Sequence, residues 1–283
     1  MPRGGPGPSS RRHDEEEEEM DYTMSQATQQ TQSLTQAQRA ADSLPKEVID
    51  QKVSNLVQYM LIMEAKKNPV KRSDLYKNVF KEHKNILPEV LRRAKVKLNE
   101  IFGYELVEAE QGGKTKTKCY FLLNSLSSDL TQDLVRNNDE VKFGLLYIIL
   151  ALIFMNEGQM SDVQMWLLLQ KLELNPEEKH PVYGDLRKLV TQDFTKQLYL
   201  DCQKIPNTDP VESEFKWGVR AEKEMDKEQI LNLVAQIMGE ENPSIWKTQY
   251  REVLIAKGIN PDEAAENANG EDNDEDDEDM DDD

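Results

Sequence analysis

A chain of 283 residues has room for one or two domains, and 37% hydrophobic content is low for a fully folded chain of that length, so part of it is expected to be tail. The formal net charge of −19 is a poor guide to partners because it is uneven: residues 44–126 carry 16 Lys and Arg against 10 acids, whereas the chain from Pro261 onward carries 14 acids and no base. Two cysteines far apart, Cys119 and Cys202, make no disulfide framework, and with no leader signal in view a reducing intracellular compartment is expected.

Residues 1–43 hold a Gly/Pro/Ser start, the acid run Asp14–Glu19 and a Gln/Thr/Ser/Ala stretch, with little apolar matter to offset the entropy of ordering. They are read as a disordered tail. From Val48 to Lys67, Ile49, Val53, Leu56, Val57, Met60 and Leu61 recur at helical steps, and Asn68-Pro69 ends the first helix. A short second helix carries Leu75, Tyr76, Val79 and Phe80, with Ser73 or Asp74 expected to cap it. Leu87, Leu91, Ala94, Leu98 and Ile101 mark a third helix that Gly103 stops. Two strands follow, Tyr104–Val107 and Cys119–Leu123, joined through a turn-prone Gln-Gly-Gly-Lys at 111–114. Three helices and then a hairpin is a winged-helix order, assigned to module A, residues 44–126.

After a polar linker at 127–140 the order recurs in module B, residues 141–258. Val141–Asn156 is its first helix, and FGLLYIILALIFM (143–155) is too short to cross a bilayer, so it reads as a buried helix. Ser161 with Gln164 predicts a capping box for a second helix reaching Leu172, and a shorter third is expected near Asp185–Phe194. Leu198, Leu200 and Cys202 alternate on one strand, Phe215 and Trp217 on another, with Pro206, Asn207, Asp209 and Pro210 in the loop between. Phe215 and Trp217 are taken as structural anchors of this hairpin. A helix over Lys223–Met238, striped by Ile230, Leu231, Val234, Ile237 and Met238, has the segment Trp246–Leu254 packed behind it. Residues 259–283 are read as a disordered acidic tail.

Chemistry is sparse. Of the three histidines His13 lies in a tail, His83 beside Lys84 reads as solvated, and His180 before Pro181 reads as a turn cap. The sequence has neither a Gly-rich phosphate loop followed by Lys nor a CxxC pair, so no catalytic, cofactor or metal site is assigned and an enzyme is not expected. The cations of module A carry a different possibility. Lys66, Lys67, Lys71 and Arg72 bracket the first helix junction, Arg92, Arg93, Lys95 and Lys97 line the third helix, and Lys114, Lys116 and Lys118 alternate along the wing. A solvated surface explains any one of them, but together they let several phosphates be met at once on a duplex. Arg187 and Lys188 form a smaller patch in module B, and with no aromatics among the wing cations, stacking readout is not suggested.

The segments KNPVKRSDLYKNVF, IFGYELVE, CYFLLNSL, GLLYIILALIFMNEG, HPVYGDLRKLVTQDF and IPNTDPVESEFKWGVRAEKE resemble, in order, the blocks of the MAGE homology domain, from about Leu44 to Ile255. Within that family the likeness is strongest to the non-SMC element three branch, the MAGE-like subunits of the Smc five/six complex. The resemblance implies a mainly helical fold of tandem winged helices with small β-hairpins. It also implies a RING-type ubiquitin ligase partner (non-SMC element one), a kleisin (non-SMC element four), the Smc five/six heads through these, non-specific duplex DNA, and a nuclear, chromosomal setting. No cofactor and no membrane partner are implied. The family's partner-binding dileucine falls on Leu145 and Leu146, with Tyr147 and Met155 beside it; periodicity alone leaves core packing as the equal alternative. A MAGE regulator that recruits protein substrates to a ligase without touching DNA is the rival reading.

Overall fold

The computed structural model describes residues 34–111, 117–126, 140–206 and 212–261. The expectations for residues 1–33, for the hairpin tips at 112–116 and 207–211, for the linker at 127–139 and for the tail from 262 lie outside these. The chain divides into two units, residues 1–127 and 128–283.

The first unit opens with α1 (34–42), a helix in sequence expected to be tail, and the buried Ala37 and Ala41 explain the difference. Small side chains let a polar helix sit close to the core at little entropic cost, which a count of large apolar residues misses. Then come α2 (Lys46–Glu64), β1 (Val70–Lys71), α3 (Arg72–Asn78), a 3₁₀ turn at Lys84–Ile86, α4 (Leu87–Phe102), β2 (Tyr104–Gln111) and β3 (Thr117–Asn124). The sheet runs β1-β3-β2, antiparallel throughout, with β2 and β3 paired over their full length from Tyr104↔Asn124 to Gln111↔Thr117. Leu56, Val70, Leu75, Phe80, Val90, Leu98 and Leu122 are sealed in its core. Helix α3 starts at Arg72, two residues before the start that a Ser73 cap would give: Lys71 is its N-cap without a side-chain bond, so Ser73 and Asp74 lie inside the first turn and do not cap it. At the end of α4, Gly103 takes φ +63, the left-handed conformation that glycine tolerates best. Ile101, expected on the apolar stripe, is 62% exposed in the last turn of α4.

The second unit runs α5 (Glu140–Met155), β4 (Gln159–Ser161), α6 (Asp162–Lys171), a small β5–β6 hairpin (Lys179–His180 with Gly184–Asp185), α7, β7 (Leu200–Lys204), β8 (Ser213–Trp217), α8 (Ala221–Glu224), α9 (Lys227–Met238) and α10 (Lys247–Ala256). Helix α7 is composite: Leu186–Lys188, a π turn at Leu189–Asp193, and Phe194–Lys196. Its sheet is ordered β4-β8-β7. The capping box at Ser161 and Gln164 is formed in both directions. His180 Nδ1 accepts from the main-chain N–H groups of Val182 and Tyr183 at 3.2 Å, closing the turn that the sequence assigned to it. Leu198 is not part of β7; it sits at φ +69, where its carbonyl accepts from the Arg220 N–H at 3.0 Å. Gly218 passes so close that a Cβ there would lie 2.2 Å from that carbonyl oxygen.

The single helix expected over Lys223–Met238 is two, broken where Met225 turns extended and Asp226 caps α9 through the Glu228 N–H. Ile230, Leu231 and Ala235 of α9 are buried, while Ile237 and Met238 in its last turn are 72% and 65% exposed. The apolar helix α5 is the spine of the unit: Leu146, Ile149, Leu150 and Ile153 are sealed in the core. Gln249 of α10 is buried over its C-terminus and donates to the carbonyls of Phe154 and Met155 at 3.3 and 3.1 Å, satisfying two of the acceptors every helix end leaves open. No helix among the described residues is long and apolar enough to cross a membrane.

Candidate interaction surfaces

The cations of α4 are not free. Glu89, 1% exposed, takes the Arg92 guanidinium in a two-point grip at 2.9 and 2.9 Å and receives Arg93 Nε at 2.6 Å. The hydrogen bond from Arg92 is the largest influence on Glu89; together with Arg93 it outweighs burial and holds the carboxyl down at about 2. Lys95 lies 3.7 Å from Glu105, and Lys118 on β3 lies 2.6 Å from Glu108 on the opposed strand. Lys97 is half-buried and has no ion pair among the described residues. Lys114 and Lys116 lie outside the described residues.

The opposite situation holds at α3. Arg72 Nε donates to the Tyr76 hydroxyl at 3.0 Å, with the guanidinium carbon 5.7 Å from the ring centroid, and Lys84 Nζ lies 5.8 Å from the same centroid. Arg72 is half-buried, whereas Lys71, Lys77 and Lys84 are exposed and have no carboxylate partner among the described residues. Sequence alone places Tyr76 only on the second helix and Lys84 only beside a solvated His83, because a helical period says nothing of a contact between residues eight apart across an irregular connection. An aromatic flanked by cations four and eight residues away was the only available signal.

In the second unit Arg187 pairs with Glu177 at 2.6 Å and its guanidinium lies 5.0 Å from the Trp166 ring centroid, while Lys188 is exposed. Both border a groove of about 660 Å³ together with Lys179 and the acids Glu178 and Asp185. Its charges balance, and no anion preference follows.

On α5, Leu145 and Leu146 are 1% and 0% exposed and belong to the core of their own unit. Neither side chain reaches solvent. Tyr147 is half-buried, its hydroxyl pushed up by burial and by nearby Asp226. The outward face of this helix carries Val141, 49% exposed, Gly144, and Ile148, 42% exposed. Phe215 and Trp217 lie in the same core beneath the hairpin, and Lys227 Nζ stands 5.3 Å from the Trp217 ring while bridging Glu222 and Glu252 at 3.2 and 3.1 Å. Among the described residues no three His, Cys, Asp or Glu side chains gather as metal ligands.

Comparison with known proteins gives a consistent picture. The model of the MAGE homology domain matches residues 56–228. The human non-structural maintenance of chromosomes element 3 homolog is 39% identical over 221 residues, 77% of this chain and 71% of that protein. Its mouse counterpart is 37% identical over 78% of this chain and 80% of its own length. Human melanoma-associated antigen D2 is 34% identical over 81% of this chain but only 38% of its own length. A chain of a solved Nse1-Nse3-Nse4 complex superposes with a TM-score of 0.67 at 40% identity, covering 74% of this chain and 99% of that one.

Proposed function

Because the chain belongs to the MAGE homology domain family, we propose that it serves as a non-catalytic adaptor subunit of an Smc five/six chromosome-maintenance complex, assembled with counterparts of the Nse1 and Nse4 named in the similar complex. The observation that carries this reading is the length of the match: the likeness runs through 71% and 80% of the two element 3 homologs but only 38% of antigen D2. In this role the chain contributes surfaces. The RING-type ubiquitin ligase subunit is held at α5, where buried Leu145 and Leu146 fix the helix, Val141 and Ile148 face outward and half-buried Tyr147 lies beside them. The partner raises its ligase activity when so held, and the kleisin connects the pair to the Smc heads in the nucleus. Duplex DNA is met by the first unit through phosphate contacts alone, without base readout.

A second reading has one observation in its favour. Three of the four α4 cations are already engaged by Glu89 and Glu105, which lowers their value to phosphate and suits a ligase regulator that recruits protein substrates without DNA. Reconstitution separates the two. The adaptor reading expects the full chain, a RING-type element one and a kleisin to co-elute as one complex, to accelerate ubiquitin transfer, and to shift duplex DNA at moderate salt. RING binding and acceleration without kleisin or duplex binding would establish the regulator reading instead.

A further inference from the structure

Residues 66–84 carry seven Lys and Arg against Asp74 and Glu82, a net positive stretch of the first unit. Within it the geometry singles out one patch. Tyr76 occupies Arg72 Nε through its hydroxyl at 3.0 Å, so the guanidinium is held in one orientation while its two Nη groups have no partner among the described residues. Lys84 approaches the same ring to 5.8 Å, and exposed Lys71 and Lys77 adjoin Arg72 and Tyr76 in sequence. A guanidinium held by a hydrogen bond and an ammonium that approaches the same aromatic ring suit carboxylates that arrive in series, since the guanidinium has little side-chain freedom left to lose.

The first unit also owns a segment of matching chemistry. Seven of the eight residues from Asp14 to Asp21 are acidic, and none is basic. The run is tethered to α1, whose Ala37 and Ala41 are buried at 2% exposure, Ala41 within the core cluster of this unit. From Asp21 to residue 34 is a tether of 13 residues. Fully extended it spans about 45 Å, and as a flexible coil about 20 Å. A unit of some 80 residues has a radius of gyration of about 12 Å, so each of its faces lies within reach. We propose that the acidic run Asp14–Asp21 docks on the Arg72–Tyr76–Lys84 patch of its own unit, as a built-in occupant of that patch. The contact is electrostatic and tethered, so it exchanges readily and yields to a denser polyanion. It stands whether or not the unit binds DNA.

Zero-length carbodiimide cross-linking of the full chain, read by mass spectrometry, tests this. At low salt the carboxylates of 14–21 should join Lys84, Lys71 and Lys77 in preference to Lys52, Lys95 and Lys97. Raising salt to about 0.5 M, where screening shortens to about 4 Å, should lower that yield about tenfold. In the full-length variant Arg72→Gln with Lys84→Gln, links to Lys71 and Lys77 should fall by a similar factor while the melting temperature holds. Links spread evenly over the lysines of the unit, or yields indifferent to salt or to the variant, overturn the docking. So does capture of the same lysines by carboxylates of residues 262–283 in place of the run. Duplex DNA added before the reagent reports separately: if it fails to displace the run, the proposed DNA contact suffers and the docking does not.

Discussion

The indole N–H of Trp217, on the last strand of the second unit, donates to the main-chain carbonyl of Leu150 in the middle of α5 at 2.9 Å. This bond spans 67 residues of sequence and hangs the hairpin on the central helix, with the Phe154 ring 6.0 Å from the indole at 49°. Trp217→Ala removes the bond, the aromatic contact and the packing volume together, and should destabilise the unit by about 3 to 5 kcal/mol. Trp217→Phe keeps most of the volume and should lose about 1 kcal/mol. Urea denaturation monitored by circular dichroism checks both, and a Trp217→Ala chain with native stability would show that the hairpin is held elsewhere.

Leu145 and Leu146 are buried, so their alanine variants report on the core before they report on any partner. Each truncation should cost about 2 to 5 kcal/mol, and the double variant should melt far below the parent chain or fail to fold. Ile148→Asp, on the outward face, should leave stability within about 0.5 kcal/mol yet weaken capture of the RING-type subunit. Thermal melts beside a pull-down separate the effects; a double alanine variant that melts normally would contradict the burial.

What was legible in the sequence follows the physics that wrote it. The helix periods of α2 and α4, the apolar run of α5, the stop at Gly103 and the Ser161 box depend on residues near in sequence, and each falls within a few residues of where it was expected. The break at Met225, the left-handed Leu198 and the β5–β6 hairpin depend on what the chain meets in space: Gly218 must pass the Leu198 carbonyl, and no local pattern encodes that. The partners of the α4 cations were out of reach of the sequence for a similar reason. Counting Arg92, Arg93 and Lys95 along α4 gave their number, but the acids that neutralise them, Glu89 one turn back and Glu105 across on β2, matter more than the count.

Glu89 should make the first unit sensitive to acid. Its carboxyl is held at about 2 against an ordinary value of 4.5, first by the Arg92 hydrogen bond. A depressed folded value stabilises the fold above the unfolded value and loses that contribution as pH falls from about 5 towards 2. Arg92 is 55% exposed, so solvent screening trims the effect to about 1 to 2 kcal/mol. Glu89→Gln should lower stability at pH 7 by about that amount and flatten the dependence between pH 5 and 2. Denaturation at a series of pH values measures it, and a variant with the same acid sensitivity as the parent chain would assign that sensitivity to other carboxylates.

If the first unit meets duplex DNA, the cations without carboxylate partners should carry the contact. A phosphate approaching Arg92 must compete with a grip of 2.9 Å from Glu89, whereas Lys84 and Lys71 are exposed and have no carboxylate partner among the described residues. Lys71→Gln and Lys84→Gln should each weaken binding to any duplex sequence and reduce the slope of log affinity against log salt by about 1. Arg92→Gln should change affinity little; Arg93 then holds Glu89 alone, so the melting point of this variant is read alongside. Neutralising Glu15–Glu19 to Gln should strengthen binding at low salt if the acidic run occupies the same patch, and the gain should vanish as salt screens it. Anisotropy titrations of one labelled duplex over a salt series, with these full-length variants, decide the matter. Affinity that falls with Arg92→Gln and ignores Lys71→Gln and Lys84→Gln would return the contact to α4 and its wing.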